Sequence, residues 1–214
     1  HGLGTKLNHP PTAEEAIVAA DLAWEVDKQQ LYFKDTHNSY APVKDKYVLT
    51  PGEGWKHSPR PFFGIVGRNY MPLQNNTAFS FFDPIVDKGA AAYHTAGMLG
   101  EGERIWILAK LPESIRVVGD DIADKYLLLS NSHDGLSSVQ VKFTPIRVVC
   151  QNTLTMALSM GRSLRIRHLR NMQAQFEQAR NLLGFIDKRY LKIEKAFQAM
   201  AKFTMSESKL TTYY

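Results

Sequence analysis

The apolar positions of this chain change period several times, and each change marks an expected element. Thr12-Ala13-Glu14-Glu15 has the form of a helix capping box with Pro11 before it, and Ala16, Ile17 and Ala20 then share one face. A short helix running to about Leu22 is expected there. Gln30 to Phe33 and Lys46 to Leu49 read as short strands set between turn residues, and Phe62 to Val66 as an apolar strand stopped by Gly67. Ala78-Phe79-Ser80-Phe81-Phe82 is too short a run for periodicity to choose between strand and helix. Ala92 to Leu99 and Arg104 to Leu111 flank Gly100-Glu101-Gly102-Glu103, a turn composition, and predict a hairpin. Ile115 to Val118 and Tyr126 to Ser130 add strands. From Ser138 to Phe143, Val139, Val141 and Phe143 alternate with polar residues as in a half-buried strand.

Pro145 breaks that strand, and Ile146 to Val149 is expected to continue in extended form. Asn152 or Thr153 can cap a helix reaching about Met160, where Gly161 ends it. From Ser163 to His168, Leu164, Ile166 and His168 alternate with Arg165 and Arg167, so a strand here puts both arginines on one face. The last stretch, Asn171 to Phe203, predicts one long helix. Its seam of Phe176, Ala179, Leu183, Ile186, Tyr190, Ile193, Phe197 and Met200 repeats as a heptad, which suits packing on the domain's own sheet or a subunit contact. The pattern as a whole predicts an α+β fold: a curved antiparallel sheet packed by helices, with a long C-terminal helix. Residues 1–170 would form the core domain, and residues 171–214 a helix and tail packed on that core or on a neighbouring subunit.

Composition narrows the class. The chain has 214 residues, 44% hydrophobic and 22% charged, enough for an ordinary folded core. Its single cysteine, Cys150, allows no intrachain disulfide and fits a reducing compartment. No run approaches the ~18 apolar residues of a membrane span, and no secretory signal opens the chain, so no membrane partner is expected and the cytoplasm is the default location. The first residue is His1 rather than Met, which reads as a piece of a longer chain.

Charge changes the picture most. The formal net charge is +5, and the stretch from Gly135 to Phe176 holds no Asp or Glu. It carries Lys142, Arg147, Arg162, Arg165, Arg167 and Arg170, leaving the rest of the chain close to neutral. A field with no carboxylate to offset it attracts phosphates. Single strands also need flat partners for their bases, and Trp106, Tyr126, Phe143 and Tyr190 lie in neighbouring elements. Arg147, the one charge in a largely apolar run, is expected to be partly buried.

Other candidate chemistry is thinner. Ser132-His133-Asp134-Gly135 contains a His-Asp pair of the kind that metal phosphohydrolases use, yet His37, His57, His94 and His168 show no ligand spacing to complete it. A turn with Asp134-Gly135 closing a hairpin is the simpler reading. Asp120, Asp121 and Asp124 form an acidic cluster that reads as a solvated loop, and Cys150 lacks the surroundings of a catalytic thiol.

Three strings carry a resemblance: His1-Gly2-Leu3-Gly4, Asn131-Ser132-His133-Asp134-Gly135, and Arg147-Val148-Val149-Cys150-Gln151-Asn152-Thr153-Leu154. Phe63-Gly64-Ile65-Val66-Gly67 followed by Tyr70, and Thr95-Ala96-Gly97, agree with them. The chain resembles the phage/plasmid-like proteins over nearly its whole length, a domain-of-unknown-function family carried by prophages, phages and plasmids. That company implies replication, recombination or defence. The order of elements also resembles single-strand annealing proteins, in which an antiparallel sheet and a helix build a basic groove on an oligomeric ring. The resulting expectation is a homo-oligomeric protein that binds single-stranded DNA, anneals it and assists recombination. Lys142, Arg147, Arg162, Arg165, Arg167 and Arg170 would hold phosphates, and Asn152 would bond a backbone or base. No metal or cofactor is called for, because annealing exchanges base pairs without bond chemistry. The alternatives are a metal-dependent nuclease or phosphohydrolase around His133 and Asp134, and a non-catalytic interaction protein.

Overall fold

A computed structural model describes residues 4–7, 12–57, 59, 62–112, 115–118 and 121–184; side chains are described for these except 115–118, 121–123 and 182–184. The architecture is α+β, with antiparallel sheets and short helices. The largest sheet has six strands in the order β1 (Gly4–Lys6), β5 (Ala92–Leu99), β6 (Arg104–Lys110), β9 (Tyr126–Ser132), β10 (Val139–Thr144) and β11 (Leu164–Ile166). A second sheet joins β2 (Val26–Lys34), β3 (Tyr40–Pro51) and β4 (Gly64–Gly67), and β7 (Ile115–Val118) pairs with β8 (Asp121–Ala123).

The six-stranded sheet is covered on both faces, which explains the near-continuous apolar runs of β6 and β9. Side chains alternate across a strand, and residues directly opposite in an antiparallel pair share a face. Ala96, Ile105, Ile107, Leu127, Leu129, Val139, Val141, Leu164 and Ile166 belong to one buried cluster, with α1 (Ala13–Ala19), α2 (Asn75–Phe79), the 3-10 turn Ser80–Phe82, α3 (Asp83–Val86) and α5 (Met172–Gly184). Leu99, Trp106, Leu108, Tyr126 and Leu128 point the other way, where Val148 and then Leu154 and Ala157 of α4 (Gln151–Ser159) close over them. The Trp106 indole fits because two cross-strand neighbours are glycines: a Cβ on Gly97 would stand 2.6 Å from the ring, and one on Gly4 2.7 Å.

Several expectations change in detail. The capping box at Thr12 forms, but α1 stops at Ala19. The two short strands at 30–33 and 46–49 are parts of one long hairpin, β2–β3, whose register is interrupted after Gln30. The aromatic run 78–82 is helical: α2, the 3-10 turn and α3 follow one another, with Pro84 at the start of α3. Residues 146–149, beyond the end of β10, run outside the sheets, and the Thr95 hydroxyl donates to the Val148 carbonyl (2.8 Å) and fixes the segment over β5. The cap of α4 is Cys150, two or three residues earlier than expected, because the Thr153 hydroxyl accepts the backbone N–H groups of Val149 and Cys150 (2.9 and 3.0 Å). Of the predicted C-terminal helix, Met172–Gly184 is described; its seam residues Phe176 and Ala179 are fully buried, Phe176 against Phe81 at 4.8 Å between rings. The remainder of the seam, and the question of a subunit contact along it, lies outside the described residues. Among the described residues no helix is long and apolar enough to cross a membrane.

Candidate nucleic-acid interface

The acid-free stretch folds as β10, the connection to α4, α4 itself, β11 and the first turn of α5. β11 is the edge strand of the six-stranded sheet. Its alternation is as the sequence predicts: Leu164, Ile166 and His168 are buried while Arg165 and Arg167 are exposed. Gly161, at φ +66, turns the chain out of α4, and Arg162 follows on the surface; Arg170 is exposed before α5 begins. Arg165 faces Gln140, and Gln140 faces Ser130 on the next strand. This polar row is tied together by the Ser163 hydroxyl, which donates to Gln140 Oε1 (3.2 Å) and lies 3.5 Å from Arg165 Nε. Among the described residues no carboxylate lies within ion-pair distance of Arg162, Arg165, Arg167 or Arg170. Each of these guanidinium groups, on or beside the short edge strand, offers five N–H donors in a planar fork that suits the oxygens of a phosphate.

Arg147 and Asn152 do not join this group. Both are exposed, but the hydrogen bond from Thr95 to Val148 places them at the opposite end of α4, above β5. The expectation that Arg147 is partly buried is therefore corrected: the chain around it is held by Val148, which is fully buried, so the arginine is free to point outward. Arg147 instead contributes, with Lys110 and Lys6, to a positive environment around His94; burial first, and then these charges, push the His94 pKa down.

Lys142 is a second correction. It lies on β10 between the arginine edge and the sheet centre, and is 2% exposed. Its ammonium donates to the carbonyls of Leu158 (3.2 Å) and Met160 at the end of α4. The last carbonyls of a helix have no partner within it and carry the negative end of its dipole, so a cation there is well placed. Lys142 closes the helix and is not available to a phosphate; burial, and then Arg165, push its pKa down.

Three of the four aromatic partners expected from the sequence are enclosed in the fold. Trp106 is fully buried and Tyr126 is 3% exposed, Phe143 packs against the core, and Tyr190 lies outside the described residues. Among the described residues the large exposed aromatics are elsewhere: Tyr32, Phe33 and Tyr40 on the β2–β3 hairpin, and Phe62 just before β4.

His133 and Asp134 form a structural junction. Asn75 Nδ2 donates to the carbonyls of Leu22 and Trp24 (3.1 and 3.2 Å), which leaves Asn75 Oδ1 to accept from His133 Nε2 at 3.0 Å. His133 Nδ1 then faces Asn131 Nδ2 at 3.5 Å as an acceptor. Both ring nitrogens are committed, and the ring is fully buried between Trp24 (5.5 Å) and Phe63 (5.7 Å). Burial pushes its pKa down to about 3. Asp134 accepts from the Ser132 hydroxyl and from the Leu136 N–H, and Gly135, at φ +77, completes the β9–β10 turn. Gly64 of β4 approaches so closely that a Cβ would lie 2.3 Å from the Asp134 carbonyl oxygen. No group of three or more His, Cys, Asp or Glu able to hold a metal ion occurs among the described residues. Asp124 is engaged by Lys110 (2.7 Å) and Tyr126 (3.1 Å). Cys150, half-buried at the start of α4, has its thiol pKa lowered by hydrogen bonding to Thr153.

Fold and surface thus define an α+β protein with a basic sheet edge beside a helix that spans the sheet's second face. The chain belongs to the family described as a domain of unknown function (DUF932), whose model matches residues 62–214. The match takes in the edge arginines and the His133 junction, while the β2–β3 hairpin precedes it. No curated protein and no solved structure matches the chain.

Proposed function

We propose that this protein binds single-stranded DNA through the β11 edge and assists its annealing and recombination on a mobile element. The observation that carries the reading is the group Arg162, Arg165, Arg167 and Arg170: four exposed arginines within nine residues, with no ion-pair partner among the described residues. The resemblance to phage/plasmid-like proteins supplies the mobile-element setting, and the resemblance to single-strand annealing proteins the expectation of a homo-oligomer. Arginines in such a group displace the counterions condensed on the phosphates, so binding would weaken with salt by about 0.7 in log K per log unit for each phosphate contact on a single strand. The edge is short and charged, which also discourages pairing with another sheet and leaves its side chains for a ligand.

The test is titration of a labelled single strand over a salt series, with Arg165→Ala/Arg167→Ala beside the unaltered protein. Weaker binding and a shallower salt slope in the variant support the reading; equal affinity and slope remove these arginines from the interface. The enzyme alternative at His133 and Asp134 has no observation in its favour, since the histidine is enclosed and Asp134 is engaged by its own turn.

A further inference from the structure

The β2–β3 hairpin is unlike the rest of the fold. No residue from Asp27 to Val48 is buried, although both ends of this segment run into the core at Val26 and Leu49. The hairpin keeps its shape by internal bonds. Where the register shifts, a single residue, Leu31, stands opposite the looped residues 43–46, and Asp45 there adopts φ +55. The Gln30 side-chain amide donates into this loop, to the carbonyls of Val43 (2.8 Å) and Lys46 (3.0 Å). At the tip, Asp35 accepts the N–H groups of His37 and Ser39 (both 2.9 Å).

The distal half of this arm exposes three aromatic rings: Tyr32 at 55%, Phe33 at 52% and Tyr40 at 72%. Tyr32 pairs with Pro42 and Lys34 with Tyr40, so Tyr32, Lys34, Tyr40 and Pro42 share one face. Lys34 Nζ stands 5.8 Å from the centre of the Tyr40 ring. The two tyrosines are diagonal neighbours, roughly 7–8 Å apart at the backbone, about twice the ~3.4 Å rise of stacked bases. Lys44 and Lys46 extend from the looped residues, and residues 28–47 hold four lysines against two aspartates. Asp35 is already engaged in the tip turn.

The arm is rooted beside the arginines. Lys28 Nζ donates to the carbonyls of Arg68 (2.7 Å) and Tyr70 (2.8 Å). The Tyr70 ring stacks on His168 at 4.7 Å, and His168 lies between Arg167 and Arg170 in the chain. Burial, and then the nearby Arg170 charge, push the Lys28 pKa down, which agrees with this proximity. Arg68, Arg167 and Arg170 are all exposed. Positive charge therefore continues from β11 past the root of the hairpin to its tip.

We infer that the distal β2–β3 hairpin is a base-stacking arm for single-stranded DNA, with Tyr32 and Tyr40 as the platform and Lys34, Lys44 and Lys46 holding the adjoining phosphates. Flat rings give affinity for any base, and the lysines favour a polyanion over an apolar or basic protein surface. The inference rests on the proposed function and names where the bases go.

The full chain is titrated with a labelled single strand and with an abasic strand of equal length, which offers the same phosphates and no bases. Stacking on an aromatic side chain is worth about fivefold or more in affinity per base, so the base-bearing strand is expected to bind tighter by at least that factor. Tyr32→Ala/Tyr40→Ala should abolish the preference and leave abasic binding unchanged, whereas Tyr32→Phe/Tyr40→Phe should retain it. Arg165→Ala/Arg167→Ala should weaken both strands equally and keep the preference. If the protein binds both strands without preference, or if the alanine variant keeps it, the stacking arm is wrong while DNA binding stands. If neither strand binds, both readings fall.

Discussion

Lowering the pH should destabilise this fold through His133, by an amount that follows from its surroundings. The neutral ring donates from Nε2 to Asn75 and accepts at Nδ1 from Asn131, and its pKa in the fold is pushed down to about 3. In the unfolded chain the same ring titrates near ~6.5. The folded value is the lower one, so the fold holds the neutral form and unfolding takes up a proton. This contribution is complete above the unfolded pKa and is lost as pH falls through the window from ~6.5 towards 3. At about pH 5 the unfolded ring is protonated roughly thirtyfold over neutral, so stability should be lower by about 2 kcal/mol than at about pH 7.5. Any folded pKa below ~4 gives nearly the same loss at that pH. His168 acts in the same direction, since burial pushes its pKa down as well. The assay is denaturant unfolding at both pH values for the unaltered protein and for His133→Gln, which cannot titrate but keeps an amide near Asn75. Growing net charge at low pH affects both proteins alike, and the difference between them isolates the ring. The variant should start less stable and lose about 2 kcal/mol less over the interval. Equal losses would show that His133 is not held neutral in the core.

Other perturbations probe the remaining junctions. Lys142→Met should cost about 2 kcal/mol in denaturant unfolding, because the α4 carbonyls of Leu158 and Met160 lose their donor; an unchanged midpoint would return Lys142 to the ligand-binding set. Gly97→Ala should cost about 1–3 kcal/mol, since the added methyl would stand 2.6 Å from the Trp106 ring; thermal unfolding measures it, and a neutral outcome would contradict the close approach. Arg165→Ala/Arg167→Ala should leave unfolding nearly unchanged, because both side chains are exposed and make no ion pair among the described residues, and the Arg165 contact with Ser163 is long and exposed.

Much of the fold was legible wherever one physical rule governed a segment. The capping box at Thr12, the hairpin around Gly100 to Glu103 and the alternation through β11 are local patterns, and each appears in the structure, whereas β10 is buried on both faces, Lys142 and Thr144 included. Failures occur where long-range contacts decide. The strand alternation of β2–β3 is broken by the loop at 43–46, and nothing local announces that Gln30 will bridge it. Lys142 reads as one more cation in a basic run, yet its fate depends on a helix end 16 to 18 residues away. Asn75, 58 residues before His133, fixes the tautomer of that ring.

The strings that carry the family resemblance fall at packing junctions. Gly4 and Gly97 make room for Trp106, Thr95 holds Val148, Thr153 holds the Cys150 cap of α4, and Phe63 and Gly64 close on His133 and Asp134. These residues account for the fold more than for a site. The arginines of the β11 edge stand outside those strings, and so do the exposed tyrosines of the hairpin. Only the former had a sequence signal, the absence of acids; the hairpin's aromatics became notable once its lack of burial was known.

The most direct test of the central claim is the affinity of the full chain for a labelled single strand across a salt series. Four phosphate contacts at the β11 edge contribute about −3 to the slope of log K against log salt, and any contacts at the hairpin lysines add to it; the slope is reduced in magnitude by about 1.4 in Arg165→Ala/Arg167→Ala. No binding at low salt, or a slope indifferent to the two substitutions, would contradict it.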